Sequence, residues 1–458
     1  MHQAVTEVIE ALKGRFADRV SVAVAVREQH ARGEGLATSL PPDVVVWPLD
    51  KHEVCTILEL CNERRVPVIA FGAGSSLEGH VSAPYGGVTI DMSRMNAVLQ
   101  VNAADGDCVV QPGITREDLN AYLKGTGLFF PVDPGANATI GGMVSTRASG
   151  TTTVRYGSMA HNVQCLEVAL PNGRLVRIGS RARKSSAGYD LVHLLTGAEG
   201  TLGIITEVTL RLHPLPPEVA AASVAFPTLD AAVQAVGDMS MSGLPFARIE
   251  FLDQHTVRAV NQHSHLGLAE LPTLFLEFHG TENGVKEQAE MAQEIAAMHG
   301  GVGFEWATRP EDRSRLWHAR HLAYFAALAL RPGCQSVVAD ICVPMSELAG
   351  CVTEAQRLIE SEGLVAPILG HVGDGNFHVL FMPMPDASPE HEAAERVYSA
   401  MIQHALSVGG TCTGEHGIGM GKKGKLLMEF GPEVVGLMQA IKQAWDPHGI
   451  MNPGKIFG

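Results

Sequence analysis

Between residues 66 and 205 the chain repeatedly runs an apolar strand straight into a stretch of Gly, Ser, Thr and Pro, and this alternation constrains the fold more than any other feature. Val66-Pro-Val-Ile-Ala-Phe reads as a buried strand leading into Gly72-Ala-Gly74-Ser75-Ser76-Leu-Glu-Gly79. A strand feeding a glycine-rich loop brings backbone N–H groups close to an anion, because no Cβ holds the anion off. Leu77 stands where the Rossmann fingerprint needs its third glycine, so the loop alone reads equally as a plain turn. Further loops follow, at Pro131-Val-Asp-Pro134-Gly-Ala-Asn-Ala-Thr139-Ile-Gly141-Gly142 and at Ala148-Ser149-Gly150-Thr-Thr-Thr-Val-Arg155-Tyr156-Gly157. Such segments are poor core material but suit the wrapping of an extended polar cofactor.

A chain of 458 residues exceeds what one core supports and predicts two or three domains. Its formal charge, 34 minus 49 or −15, and the lack of any Lys/Arg run argue against nucleic acid as a partner. Eight scattered cysteines without a Cys-x-x-Cys pair argue against a thiolate zinc site, an iron–sulfur cluster or a disulfide framework, and fit a reducing compartment. No apolar run reaches the roughly eighteen residues of a transmembrane helix. Met-His-Gln-Ala-Val-Thr-Glu is neither a signal nor a convincing transit peptide, so the expected location is cytoplasmic, with peripheral association with the inner membrane left open.

A second constellation lies in the last quarter. His371-Val-Gly-Asp-Gly-Asn-Phe-His378 places a tight-turn signal between two apolar runs, which predicts a hairpin with both imidazoles near one end. Gly414-Glu415-His416-Gly417 offers a third ligand in Glu415 and a proton-handling group in His416. Any one of the chain's 20 histidines is more often structural than a ligand; two across one Gly-rich turn, with a later Glu-His, shift the balance. Two nearby patterns are rejected. Gly419-Met-Gly421-Lys-Lys-Gly424 matches a dinucleotide motif but follows no strand and has only 34 residues of chain after it. As a P-loop it fails at Leu426, where magnesium needs Ser or Thr.

The loop at 72–79, Pro-Val-Asp-Pro-Gly with Thr-Ile-Gly-Gly, Ala-Ser-Gly-Thr with Val-Arg-Tyr-Gly, and Gly197-Ala-Glu199-Gly200-Thr-Leu-Gly203-Ile-Ile205 together resemble the FAD domain of the vanillyl-alcohol-oxidase/p-cresol-methylhydroxylase (PCMH) superfamily. The second half, with Leu316-Trp317-His-Ala-Arg320, Asp340 and the His hairpin, resembles the C-terminal domain of the FAD-linked D-2-hydroxy-acid dehydrogenases. The resemblance implies an α+β protein: a two-subdomain PCMH-type FAD-binding domain and an α+β substrate-binding cap with an antiparallel sheet and helices on one face. The expected divisions are an N-terminal accessory segment (1–37), the FAD domain (38–217), the cap (218–430) and a C-terminal segment returning towards the FAD domain (431–458). Implied FAD contacts are Gly72, Gly74, Ser75, Ser76, Pro134, Thr139, Gly141, Gly142, Ser149, Gly150, Tyr156, Glu199, Gly200, Gly203, Ile205 and Asn452. Many relatives tether the flavin through a His in the first loop; Ser75 in that place implies non-covalent FAD.

Oxidising a 2-hydroxy acid removes a proton from its hydroxyl and a hydride from the adjoining carbon. His371, His378 and Glu415 would supply three ligands to one divalent ion, zinc or manganese, and leave positions for the substrate. His416 is the expected base and Arg320 the expected clamp on the substrate carboxylate, against the plainer reading of Arg320 as a salt-bridge partner. Relatives acting on hydroxyglutarate carry a Lys and an Asn where Val338 and Leu380 stand here, so the resemblance implies a small or apolar substrate, most like D-lactate. Electrons must pass to an external cytochrome, quinone or electron-transfer protein. Other readings are a glycolate oxidase flavin subunit, a hydroxyglutarate-type dehydrogenase, a flavin-free metallohydrolase and a non-catalytic relative; a homodimer is left open.

Overall fold

The computed structural model describes residues 2–35, 40–264 and 267–457, so the expected boundary at 37/38 lies outside the described residues. The chain forms two compact units: Met1–Ser149 with Gly157–Leu215 and Glu415–Gly458, and Gly150–Tyr156 with Pro216–Gly414.

Among the described residues the first unit contains two larger sheets, each with its own core, and a two-stranded pairing of Leu128–Phe129 with His213–Pro214. Val44–Val46, Val88–Asp91 and Val68–Phe71 run parallel, and Val20–Ser21 joins antiparallel at the edge. Val44–Val46 and Val88–Asp91 are buried at every position, which is why they read as unbroken Val/Ile runs rather than as alternating strands. Helix Lys51–Arg64 packs beside them. Asp50 caps its start, accepting from His52 N and Glu53 N, and Arg65 ends it in the left-handed region. Helix His2–Phe16 adds Val5, Val8 and Leu12 to the same core, the face its i, i+3, i+7 spacing predicts.

The second sheet of this unit is antiparallel, in the order Val98–Asn102, Asp107–Val110, Ile204–Arg211, Val163–Ala169, Leu175–Gly179. The last two form the hairpin expected at Pro171-Asn172-Gly173, with Gly173 at φ +79°. The C-terminal chain comes back to the first sheet: Val68 N donates to Ile450 O at 2.8 Å and Asn452 N to Val68 O at 2.8 Å.

The other unit is built on one seven-stranded antiparallel sheet, ordered Val302–Ala307, Glu218–Ala225, Thr273–Gly280, Phe246–Leu252, Ile368–Gly370, Asn376–Phe381, Val337–Cys342. Residues opposite one another in register share a face. Asp340 faces His378, Val338 faces Leu380, Leu369 faces His378, and Leu252 faces Leu369, so these side chains lie on one surface. Helix Pro310–Ala329 crosses that surface. Leu316, Trp317, Ala323 and Ala326 pack on Leu252, Phe275 and Leu369, and Ala327 packs on Leu380 and Met382. The expectation of helices on one face only is not met: Thr273–His279 is buried on both alternating sides, because the central strands are covered twice.

Candidate active site

The hairpin forms as its glycines demand. Ile368–Gly370 pairs with Asn376–Phe381 around a single 3-10 turn, Val372–Asp374, closed by Gly375 at φ +75°. A Cβ at Gly375 would also overlap Val343 O, so both conformation and space require glycine. The turn brings the His371 and His378 rings to 5.4 Å between centroids, nearly perpendicular at 86°.

Each imidazole is backed by a carboxylate with a fully buried side chain. Glu250 Oε1 lies 2.7 Å from His371 Nδ1, and its other oxygen takes Arg320 Nε at 2.6 Å. With Nδ1 donating to Glu250, the lone pair would lie on Nε2, the tautomer a metal-binding histidine needs. Asp340 Oδ1 lies 3.6 Å from His378 Nδ1. Asn376 Nδ2 donates to Asp340 Oδ1 at 2.8 Å and Thr413 Oγ1 to Asp340 Oδ2 at 2.8 Å, which offsets the cost of burying that charge. Gly414 completes this pocket, since any Cβ there would overlap Asn376 Nδ2. The donor set therefore fits a divalent ion: two imidazoles at one hairpin end, His371 held by buried Glu250 and His378 beside buried Asp340.

Arg320 is 9% exposed, and the salt bridge to Glu250 occupies its Nε. Beside it, Arg248 stacks over Trp317 at 4.7 Å from the ring centroid and bonds Glu277 at 3.3 Å. Glu277 continues to His279 Nε2 at 2.9 Å, and His279 Nδ1 lies 2.7 Å from the Tyr156 hydroxyl. Burial alone would raise the Glu277 carboxyl, but Arg248 and His279 hold it below its ordinary value. Burial pushes the Tyr156 phenol up. Tyr156 and Gly150 thus belong to the strip that folds with the second unit. Glu250, Glu277, His279 and Asn376 were not singled out from sequence. The signal available for Glu250 was a lone acid in the apolar strand Phe246–Leu252.

Glu415 and His416 open the segment that belongs to the first unit. Ser149 Oγ donates to Glu415 Oε2 at 2.9 Å, and His416 Nε2 lies 3.5 Å from Glu415 Oε1. In the same unit the glycine-rich loops make a cradle with room for backbone-close contact. A Cβ at Gly72 would overlap Thr139 Oγ1, one at Gly141 would meet Pro112 at 2.6 Å, and Gly74 sits at φ +71°. Ser76 Oγ is buried and meets no hydrogen-bond partner among the described residues, as a side chain awaiting a polar ligand would be. Gly141 N is spent on Pro112 O at 2.8 Å, so that glycine serves close approach rather than donation. Gly200, at φ +70°, turns beside Asn452, and Gly203 leads into the strand carrying Ile205, its absent Cβ making room for Val168 and Ala169. Gly142 lies one residue along the helix from Gly141, and Pro134 and Ser75 are half-exposed in their loops. These residues fit an extended flavin dinucleotide.

The fold and the glycine-rich loops define a flavoprotein of the PCMH type. The p-cresol methylhydroxylase structure shares this fold at a TM-score of 0.81 and 19% identity, covering 100% of this chain and 97% of that one. A model for an FAD binding domain matches residues 42–179, and one for the C-terminal domain of FAD linked oxidases matches residues 215–456. The chain belongs to the FAD-linked oxidases and is an FAD-dependent oxidoreductase. It is 46% identical over 457 residues to the probable mitochondrial D-lactate dehydrogenase of Danio rerio, covering 99% of this chain and 92% of that protein. It is 45% identical over 458 residues to the mitochondrial D-lactate dehydrogenase [cytochrome] of Arabidopsis thaliana, covering 99% and 80%. The glycolate oxidase subunit GlcD of Bacillus subtilis is 34% identical over 420 residues, covering 91% and 89%. Among the described residues no helix is long and apolar enough to cross a membrane.

Proposed function

We propose that the protein oxidises D-lactate to pyruvate with help from a divalent ion, and passes the electrons to an external acceptor. The observation that carries this reading is the pair of imidazoles at one hairpin end, each backed by a buried carboxylate, in a chain of the FAD-linked oxidases. The names of the Danio rerio and Arabidopsis thaliana relatives supply the substrate, and the latter makes a cytochrome the first candidate acceptor.

His371 and His378 would hold the ion, with Glu415 as its third ligand. When bound, the ion supplies Lewis-acid polarisation that lowers the pKa of the substrate hydroxyl. His416 takes the hydroxyl proton, a role worth typically about 10²–10⁴-fold. The Nη groups of Arg320 meet the substrate carboxylate while Glu250 fixes the guanidinium through Nε, which limits the orientations the acid can take. The flavin, when bound, supplies the two-electron acceptor. Val338 and Leu380, opposite one another beside His378, give the remainder of the substrate apolar surroundings.

The purified protein is expected to carry a flavin band near ~450 nm that D-lactate bleaches without oxygen. A protein with no such band, or one bleached only by D-2-hydroxyglutarate, would refute the assignment.

A further inference from the structure

Glu199 is buried in the first unit in a conformation that glutamate rarely adopts. Its φ is +53°, in the left-handed region that strains a residue bearing a Cβ. It is 5% exposed, and every polar atom is engaged. Its N donates to Ser145 O at 2.8 Å and its O accepts from Asn452 Nδ2 at 2.7 Å. Carboxylate Oε1 accepts from Ile418 N at 2.7 Å, Oε2 accepts from Gly419 N at 2.8 Å, and His80 Nε2 lies 3.2 Å from Oε2. Burial alone would raise this carboxyl, but His80 and the two amides hold it below its usual range. Gly417 and Gly419 are glycines for the same reason: a Cβ on the first would meet Glu199 Oε1 at 2.7 Å, and one on the second would overlap the backbone of Glu78. Where the stretch that resembles a phosphate loop begins, Ile418 N and Gly419 N are therefore spent on the chain's own carboxylate.

We propose that Glu199 is a positioning residue: it grips the backbone just after Glu415 and His416, and so fixes where those side chains are presented. This rests on the reading of Glu415 as ligand and His416 as base. Ser149 holds Glu415 from one side and Glu199 holds Ile418 and Gly419 from the other, leaving the dipeptide strung between two anchors. Lys422 reinforces the downstream anchor, with Nζ 3.2 Å from Glu78 Oε1 and 2% exposure. The polar atoms of Glu199 are thus fully occupied within the protein, and the polar flavin contact expected of it falls to its neighbours.

The test uses flavin-loaded wild type, Glu199→Gln and Glu199→Asp. The amide of Gln faces a backbone N–H with another donor. Asp keeps the charge, suits positive φ better and so preserves folding, but is one methylene too short for both amides. Either variant that retains its ~450 nm band should show amide hydrogen exchange at Ile418 and Gly419 at least about tenfold faster, with the strand Ile204–Arg211 unchanged. Its manganese affinity should fall by roughly 10–100-fold. Unchanged exchange at those amides, or wild-type manganese affinity in a variant with faster exchange, would overturn the proposal. Wild-type protein that binds no manganese would defeat the metal reading instead, while the exchange result still decides the clamp.

Discussion

The proposed site is built on histidines whose carboxylate neighbours come from distant sequence. His371 is oriented by Glu250, separated from it by 121 residues, and His378 lies beside Asp340 across a strand pair. The histidines themselves are legible because a Gly-Asp-Gly-Asn turn between apolar runs has few folds open to it. Their carboxylates are not, because nothing local shows which strand will lie alongside. Substitution Glu250→Gln should weaken divalent-ion binding by roughly 10–100-fold, since the amide no longer fixes the His371 proton on Nδ1. Equilibrium titration with manganese measures this, and undiminished affinity would remove Glu250 from the account. Substitution His416→Asn should slow flavin reduction by D-lactate about 10²–10⁴-fold with the flavin retained. Stopped-flow reduction at full rate would assign the base elsewhere.

At the scale of elements, one helix carries both the charged and the apolar partners of the second unit's sheet. Pro310–Ala329 lays Trp317 by Arg248, Arg320 by Glu250, and Ala327 by Leu380, with Tyr324 alongside, at i, i+3, i+7 and i+10, so charged groups meet one half of the stripe and apolar groups the other. The sequence motif around Arg320 announces the arginine but not this ordering, which depends on the register that sets Val338 opposite Leu380. Leu380 is 1% exposed, and Leu380→Asn trades a packed side chain for an amide needing partners. We expect it to cost about 2–5 kcal/mol in urea unfolding and to raise the kcat/KM of D-2-hydroxyglutarate relative to D-lactate. A variant with an unaltered substrate ratio would show that the far end of the substrate lies away from Leu380.

On the scale of the whole molecule, the chain interleaves its units. Residues 150–156 fold with the second unit and residues 415–458 with the first. Hydrophobic periodicity locates most strands, and the break at His213-Pro-Leu-Pro-Pro is visible as composition. The excursion of Gly150–Tyr156 is not, because it is fixed by contacts such as Tyr156 with His279 rather than by any local signal. His213, at that break, is held to a pKa of about 4 by burial and by Arg211, against 6.5 when unfolded. Between those values the unfolded chain binds the extra proton, so stability falls as pH drops from 6.5 to about 4, and this loss is complete below that. His213→Gln should flatten that part of the stability profile in urea melts; an identical acid limb in both proteins would assign the loss to other groups.

The most direct measurement is anaerobic bleaching of the flavin band at ~450 nm, before and after removal of divalent ions with a chelator. With the ion present, D-lactate should bleach it faster than glycolate, L-lactate or D-2-hydroxyglutarate; with the ion removed, the band should persist and D-lactate should no longer bleach it, until manganese or zinc restores the reaction. Bleaching by D-lactate at an undiminished rate in the metal-free protein would contradict a metal-assisted oxidation at His371, His378 and Glu415.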